Sequence, residues 1–323
     1  MMQRRNGEGV RVRSGTGVPL SIVLVALAGC VNRDTARNTV PAAPQTRTLA
    51  DGVGRAVTLP AKVDTIISLS PSTTETIFVI GCGERLVGVD TSSDYPKDAL
   101  AIAKMGDFGK PNLERIVASQ ADLIVGASST VSAATANDLQ RRTHTSVFTQ
   151  QPQTVDDVPR NIEELGTILG VNKKAEQVAE SIRDTVRTVE RRLRGVPRRS
   201  VFIEIWNPPL MTTGGGTLLN ELVERAGGKN IAADLKQPFP NFSLESLLEA
   251  NPDVYIVPRG DTMGAIDDVA QRPHYQKLKA VQQKRFVRVP SDLVFRPGPR
   301  IGRGLYWLAW AIHPEQFPVH PAK

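Results

Sequence analysis

The chain has 323 residues, with 40 Lys and Arg against 33 Asp and Glu, a net charge of +7, 40% hydrophobic residues and two cysteines. That composition excludes a disordered, collagen-like or disulfide-framework protein, and the length suits two domains of roughly 100–150 residues each. The charge is no nucleic-acid signature: Arg4, Arg5, Arg11 and Arg13 against Glu8 place +3 in residues 1–29, which leaves +4 of the +7 for everything else.

The N-terminus reads as a targeting device. Behind those arginines, residues 18–29 run Val-Pro-Leu-Ser-Ile-Val-Leu-Val-Ala-Leu-Ala-Gly up to Cys30. A basic start, a short apolar run and small residues make a secretory signal. The run is too short to cross a bilayer, which needs about 20 residues. Leu27-Ala28-Gly29-Cys30 resembles the bacterial lipobox. That resemblance implies acylation of Cys30 and a membrane anchor. Cys82 is then alone, so no intramolecular disulfide is expected. Between Gly81 and Gly83 it reads as a small buried residue. Residues 31–50 are polar, rich in Pro, Ala and Thr and unpatterned, and the stretch 30–60 reads as a flexible tether.

From Thr65 short β-rich runs alternate with helical patterns. Ile66–Ser70 reads as a strand, and Ser72-Thr-Thr-Glu75 as a capping box ahead of Ile77, Phe78 and Ile80. Leu86–Val89 is a strand, Asn112 caps a helix reaching Ser119, and Asp122–Val125 is a strand. A helix near 132–142 and a strand at 146–148 follow. Strands separated by helices imply parallel pairing and an α/β sandwich. The second half repeats the scheme, with strands at 201–205, 254–257 and 286–289 and helices at 217–226, 243–249 and 299–312. Between the halves, Ala175, Val178, Ala179, Ile182, Val186, Val189 and Leu193 form one apolar stripe over 172–194. At about 1.5 Å per residue that is a rod of roughly 35 Å. The expected domains are a signal at 1–29, the tether at 30–60, an N-terminal lobe at 61–152, a linking helical segment at 153–197 and a C-terminal lobe at 198–323.

An internal repeat stands out. Asn112-Leu-Glu-Arg-Ile-Val-Ala-Ser-Gln-Ala-Asp-Leu-Ile-Val125 aligns without gaps on Ser243-Leu-Glu-Ser-Leu-Leu-Glu-Ala-Asn-Pro-Asp-Val-Tyr-Ile256. Each half therefore contains the same capped helix followed by a strand. Glu114 and Glu245 occupy matching places in the first turn. They serve either as compensation of the helix dipole, worth about 0.3–1 kcal/mol, or as a matched pair of acidic knobs for a two-fold symmetric partner.

Ile67-Ser-Leu-Ser-Pro-Ser-Thr-Thr-Glu75, Ser93-Asp-Tyr-Pro96, the repeat, Asn207-Pro-Pro209 and Arg296-Pro-Gly-Pro-Arg300 together resemble the substrate-binding proteins of ABC importers for cobalamin, iron-siderophores and haem. The resemblance covers about residues 62–313. It implies two Rossmann-like α/β lobes joined by one long rigid helix, with a ligand cleft between them. It also implies that Glu114 and Glu245 dock on the transmembrane subunits. Position after strand ends and likeness to cobalamin-binding members make Tyr95, Phe108, Trp206, Phe239, Asp292 and Arg296 the candidate ligand residues. The expected ligand is a corrinoid, with a ferric siderophore or haem as the alternative in the same class; Tyr95 is the candidate axial ligand for haem.

No catalytic set emerges. The four histidines form no His-x-x-x-His pair, Gly81-x-Gly83 lacks the third glycine of a dinucleotide fingerprint, and Ser70 and Ser72 sit in no nucleophile elbow. The loop Thr212-Thr-Gly-Gly-Gly-Thr217 reads as cleft-facing. The expectation is an exported, membrane-anchored monomer without cofactor, metal or nucleic-acid partner. An exported enzyme or a ligand sensor on the same scaffold is the rival of another class.

Overall fold

The computed structural model describes residues 46–259 and 269–321. The signal segment, Cys30 and residues 30–45 of the expected tether lie outside them. The tether does not reach residue 60. Strands β1 (Thr46–Ala50) and β2 (Ala56–Pro60) pair as an antiparallel hairpin. Val57 and Leu59 alternate with exposed residues and are fully buried in the core. Gly52 N–H donates to Thr149 O at 2.7 Å and Ser146 Oγ to Thr58 O at 2.7 Å, which ties the hairpin to the first lobe.

The N-terminal lobe runs β3 (Ile66–Ser68), α1 (Pro71–Val79), β4 (Leu86–Val89), the small ribbon β5 (Gly106–Asp107) and β6 (Lys110–Pro111), α2 (Leu113–Ser119), β7 (Leu123–Ala127), α3 (Ala133–Thr143) and β8 (Ser146–Gln150). Two helices follow, α4 (Asp157–Leu169) and α5 (Asn172–Arg192). The C-terminal lobe runs β9 (Arg199–Ile203), α6 (Leu218–Arg225), β10 (Gly228–Asn230), α7 (Leu244–Ala250), β11 (Val254–Arg259), α8 (Lys279–Gln282), β12 (Phe286–Pro290), α9 (Ser291–Phe295) and α10 (Ile301–Ile312). The sheet orders are β4-β3-β7-β8 and β10-β9-β11-β12, every pairing parallel. In each lobe the second strand lies outside the first, followed by the third and fourth. The duplication seen in fourteen residues therefore extends to the topology of both sheets.

Both sheets are covered on two faces, which is why their strands read as continuous apolar runs. In the first, Ile66, Leu123, Val125 and Phe148 face one cluster while Ile67, Ile124 and Val147 face another. In the second, Val201, Ile203, Val254 and Ile256 join the first cluster, and Phe202, Tyr255 and Val257 form a third. One cluster thus runs through both lobes, and α5 is part of it through Ala175, Ile182, Val186 and Val189. Each of the larger three contributes about 1.5–3 kcal/mol by leaving water.

The apolar stripe expected over 172–194 lies on the α5 helix, which has a companion. A turn at Gly170, with φ of 73°, folds α4 back along α5. Arg183 bonds both oxygens of Glu163, at 2.6 and 2.8 Å. At the other end α5 holds the C-terminal lobe, where Arg225 Nη2 lies 2.6 Å from Glu190. Cys82 is buried, and burial pushes its thiol pKa up.

Candidate functional site

A cavity of about 360 Å³ opens between the lobes. Apart from Phe108, the walls begin where parallel strands end: Ser70 and Ser72 after β3, Ser92 after β4, Ser129 and Thr130 after β7, and Ser291, Asp292, Phe295 and Arg296 after β12. Loops at the carboxyl ends of parallel strands face a common crevice, which explains how segments far apart in sequence converge. Phe108, in the two-residue turn between β5 and β6, supplies an aromatic face and is 54% exposed.

Hydroxyls build the N-terminal wall. Ser70 Oγ takes the amide of Ala127 at 2.7 Å and contacts Thr130 Oγ1. Thr74 Oγ1 reaches Ser68 Oγ and Ser93 Oγ, both at 2.8 Å. The ends of β3, β4 and β7 are thereby stitched together and the polar groups satisfied. On the facing wall Ser291 Oγ is buried and has no hydrogen-bond partner among the described residues. A hydroxyl left in that state at a cavity wall is suited to a polar group arriving with a ligand.

Ser72-x-x-Glu75 does not act as a capping box. Ser70 is the N-cap residue, Pro71 opens the helix, and Glu75 is buried on the inner side of α1. It faces the other lobe, where Arg300 grips it in a bidentate pair, Nε to Oε2 at 2.7 Å and Nη2 to Oε1 at 2.5 Å. Arg296 Nη1 stands 3.4 Å from Glu75 and 2.6 Å from Asp94, and its Nη2 is 3.4 Å from Asp292. Burial alone would lower the Arg296 pKa, but the bond to Asp94 and the charges of Asp292, Asp94 and Glu75 raise it. Burial opposes the reverse effect on Asp94, whose pKa is lowered by Arg296 and Arg300. The lobes approach closely here: a Cβ on Gly298 would stand 3.2 Å from the Ser72 backbone.

Of the six candidate ligand residues, Phe108, Asp292 and Arg296 line the cavity. Tyr95 lies just outside, its ring stacked under the Arg300 guanidinium at 4.1 Å. Trp206 and Phe239 sit on two C-terminal-lobe loops bound to each other through the 212–217 segment. Thr212 N–H donates to Pro240 O, Gly214 N–H to Pro238 O and Gly215 N–H to Leu235 O. A side chain at Gly214 would strike the carbonyls of Gln237 and Leu235, and one at Gly215 that of Ala233, which accounts for the glycines. Tyr95, Phe108, Trp206 and Phe239 are the exposed aromatic residues among those described. Sequence reading missed Ser291, Glu75, Asp94 and Arg300 as site residues. Position after a strand end was the available signal for Ser291 and for Asp94, the neighbour of Tyr95; Glu75 and Arg300 lie in motifs that carry the family resemblance, but nothing local pairs them.

Glu114 and Glu245 are both exposed, in the first turns of α2 and α7. Asn112 and Ser243 cap these helices by accepting from the amides of Arg115 and Ser246. Left-handed Gln120 and Asn251 end them. The two carboxylates therefore occupy equivalent positions on the two lobes.

Residues 66–293 match the model of the family described as periplasmic binding protein, and the chain belongs to that family. It is 30% identical over 318 residues to an uncharacterised ABC transporter substrate-binding lipoprotein of Bacillus subtilis, covering 95% of this chain and 99% of that protein. It is 33% identical over 216 residues to a vitamin B12-binding protein of Yersinia pestis, covering 66% and 76%. A crystal structure of a possible iron-binding, periplasmic solute-binding protein from Staphylococcus epidermidis superposes with a TM-score of 0.67 at 30% identity, covering 78% and 99%. The family is one of binding proteins, not enzymes.

Proposed function

We propose that this chain is the substrate-binding component of an ABC importer, exported and held to a membrane through a lipid on Cys30, and that its ligand is a corrinoid such as cobalamin. The observation that carries the reading is the cavity between duplicated lobes, in a chain 33% identical to a vitamin B12-binding protein. Phe108 on the cavity wall, and the exposed Trp206 and Phe239 on loops of the C-terminal lobe, offer flat apolar area at low rotamer cost. Ser291 and Asp292 offer groups for amide side chains. The cavity is at the small end of the ~300–1,000 Å³ usual for ligand sites. A corrinoid is larger, so the lobes part further to receive it.

Glu114 and Glu245 are the docking carboxylates of this reading, each taking a guanidinium of a transmembrane subunit. A titration of the protein with cyanocobalamin, followed by tryptophan fluorescence or calorimetry, should saturate at one equivalent. Heat with a ferric chelate and none with cobalamin selects the second reading, which the likeness to the Staphylococcus protein favours. Reversing Glu114 and Glu245 to Lys together should cut cellular uptake by about tenfold or more while affinity stays within about twofold. Unchanged uptake refutes the docking role.

A further inference from the structure

The charges of the cleft point to a property of the ligand beyond its size. Among the described residues Arg296 is the cation on the cavity wall, and Arg300 is held by Glu75 beside it. Neither presents an unshared guanidinium. Arg300 is held by both oxygens of Glu75 and covered by the Tyr95 ring. Arg296 is divided among Glu75, Asp94 and Asp292. Three carboxylates face two guanidiniums, so the cluster carries one net negative charge. Asp107 and Lys110, which flank Phe108 and are both exposed, cancel. The balance belongs to the residues and not to their pairing, so it survives a parting of the lobes.

We infer that Glu75, Asp94 and Asp292 make the cleft selective for an uncharged or cationic chelate and hostile to an anionic one. The usual reading of two arginines beside a pocket is an anion site; here both are neutralised within the protein. An anion entering must either displace an internal carboxylate or sit beside the excess negative charge. In a partly desolvated cleft either costs on the order of tenfold in affinity or more per unit of ligand charge. The inference rests on the binding-protein reading but not on the corrinoid one.

The test uses the full chain in detergent, titrated by calorimetry with cyanocobalamin (uncharged), aquacobalamin (cationic), ferrioxamine B (cationic) and ferric enterobactin (trianionic). The expected result is saturable binding of at least one uncharged or cationic probe, with ferric enterobactin weaker by about 100-fold or more. Asp94→Asn should then move the ratio of anionic to uncharged affinity by about threefold or more toward the anion. Asp94 is half-exposed, so this variant folds even where Glu75→Gln does not. Binding of ferrioxamine B without cobalamin or enterobactin leaves the charge inference standing and removes the corrinoid reading. Cobalamin and enterobactin binding within tenfold of each other removes the charge inference and leaves the corrinoid. Silence toward every uncharged and cationic probe, or an Asp94→Asn ratio equal to that of the parent, also overturns the inference.

Discussion

Asp122 and Asp253 stand at the same step of the duplicated unit, one per lobe, and do the same work. Asp122 Oδ2 accepts from the amides of Asp64 and Thr65 and from Thr65 Oγ1; Asp253 Oδ2 accepts from the amide and Oγ of Ser200. Each pins the start of its third strand to the start of its first. Glu75 and Arg300 sit at the opposite ends of the sheets, where strands finish, and there the lobes differ. The N-terminal lobe brings Ser70, Thr130, Glu75 and Asp94, and the C-terminal lobe brings the guanidiniums of Arg296 and Arg300 together with Ser291 and Asp292. The outer ends of the lobes are copies and the inner faces are complements. Duplication therefore explains the scaffold and a pair of matched tips, while the cleft-facing side chains are what differs between the lobes.

The largest effect that would test this contrast is at Glu75. Its carboxylate is buried and shared by two arginines, so Glu75→Ala should lower stability by about 3–5 kcal/mol through the charges left behind. Urea denaturation reads this directly. A loss below 1 kcal/mol would mean that the lobes do not depend on the cross-cleft pair. Next come the aromatic faces. Phe108→Ala should weaken cobalamin binding by about tenfold, and Trp206→Ala and Phe239→Ala by less, since Phe108 alone of the three lines the cavity. Equal losses at all three would extend the site across the C-terminal-lobe loops.

A smaller effect separates the two copies. Burial would raise the pKa of Asp253, but Lys279 and Ser200 bring it down to about 2 from 3.8. The folded state therefore takes up this proton later than the unfolded chain. The stability it contributes is complete above about pH 4 and is lost as pH falls from about 4 to about 2. Melting temperatures of Asp253→Asn should depend less on pH across that window than those of Asp122→Asn, because Lys279 bonds Asp253 directly whereas Lys62 acts on Asp122 only through its charge. Coincident curves would show that Lys279 adds nothing to the second copy. The smallest effect is expected at the tips. Glu114→Ala and Glu245→Ala should each stay within about 0.5 kcal/mol of the parent, as exposed positions do. A larger loss at either would mean that the glutamate serves its own helix and not a partner.

Much of the architecture was readable from the chain. Leu86–Val89 is a strand as expected, and Asn112 and Ser243 cap helices where their side chains predict. The stripe from Ala175 to Leu193 forms the α5 helix, which ends two residues early. The hairpin at 46–60 was passed over although Asp51-Gly52 and the alternation of Val57 and Leu59 signal it. The Pro, Ala and Thr content just before it masked the change of period. The cavity was half legible: Phe108, Asp292 and Arg296 follow from position after strand ends.

Periodicity, capping residues and the repeat are local and additive, so the chain by itself determined two like α/β halves, the long helix that lies between them in sequence and their matched outer glutamates. Glu75 shows where that ends. Three residues after a serine on a helix, it satisfies every local rule for a cap, and nothing near it in sequence records that Arg300 lies 225 positions away. Only the folded chain brings such charges within 3 Å of each other. Coulomb attraction acts across space and not along the backbone, so the pairing of the cleft was decided by the tertiary structure alone.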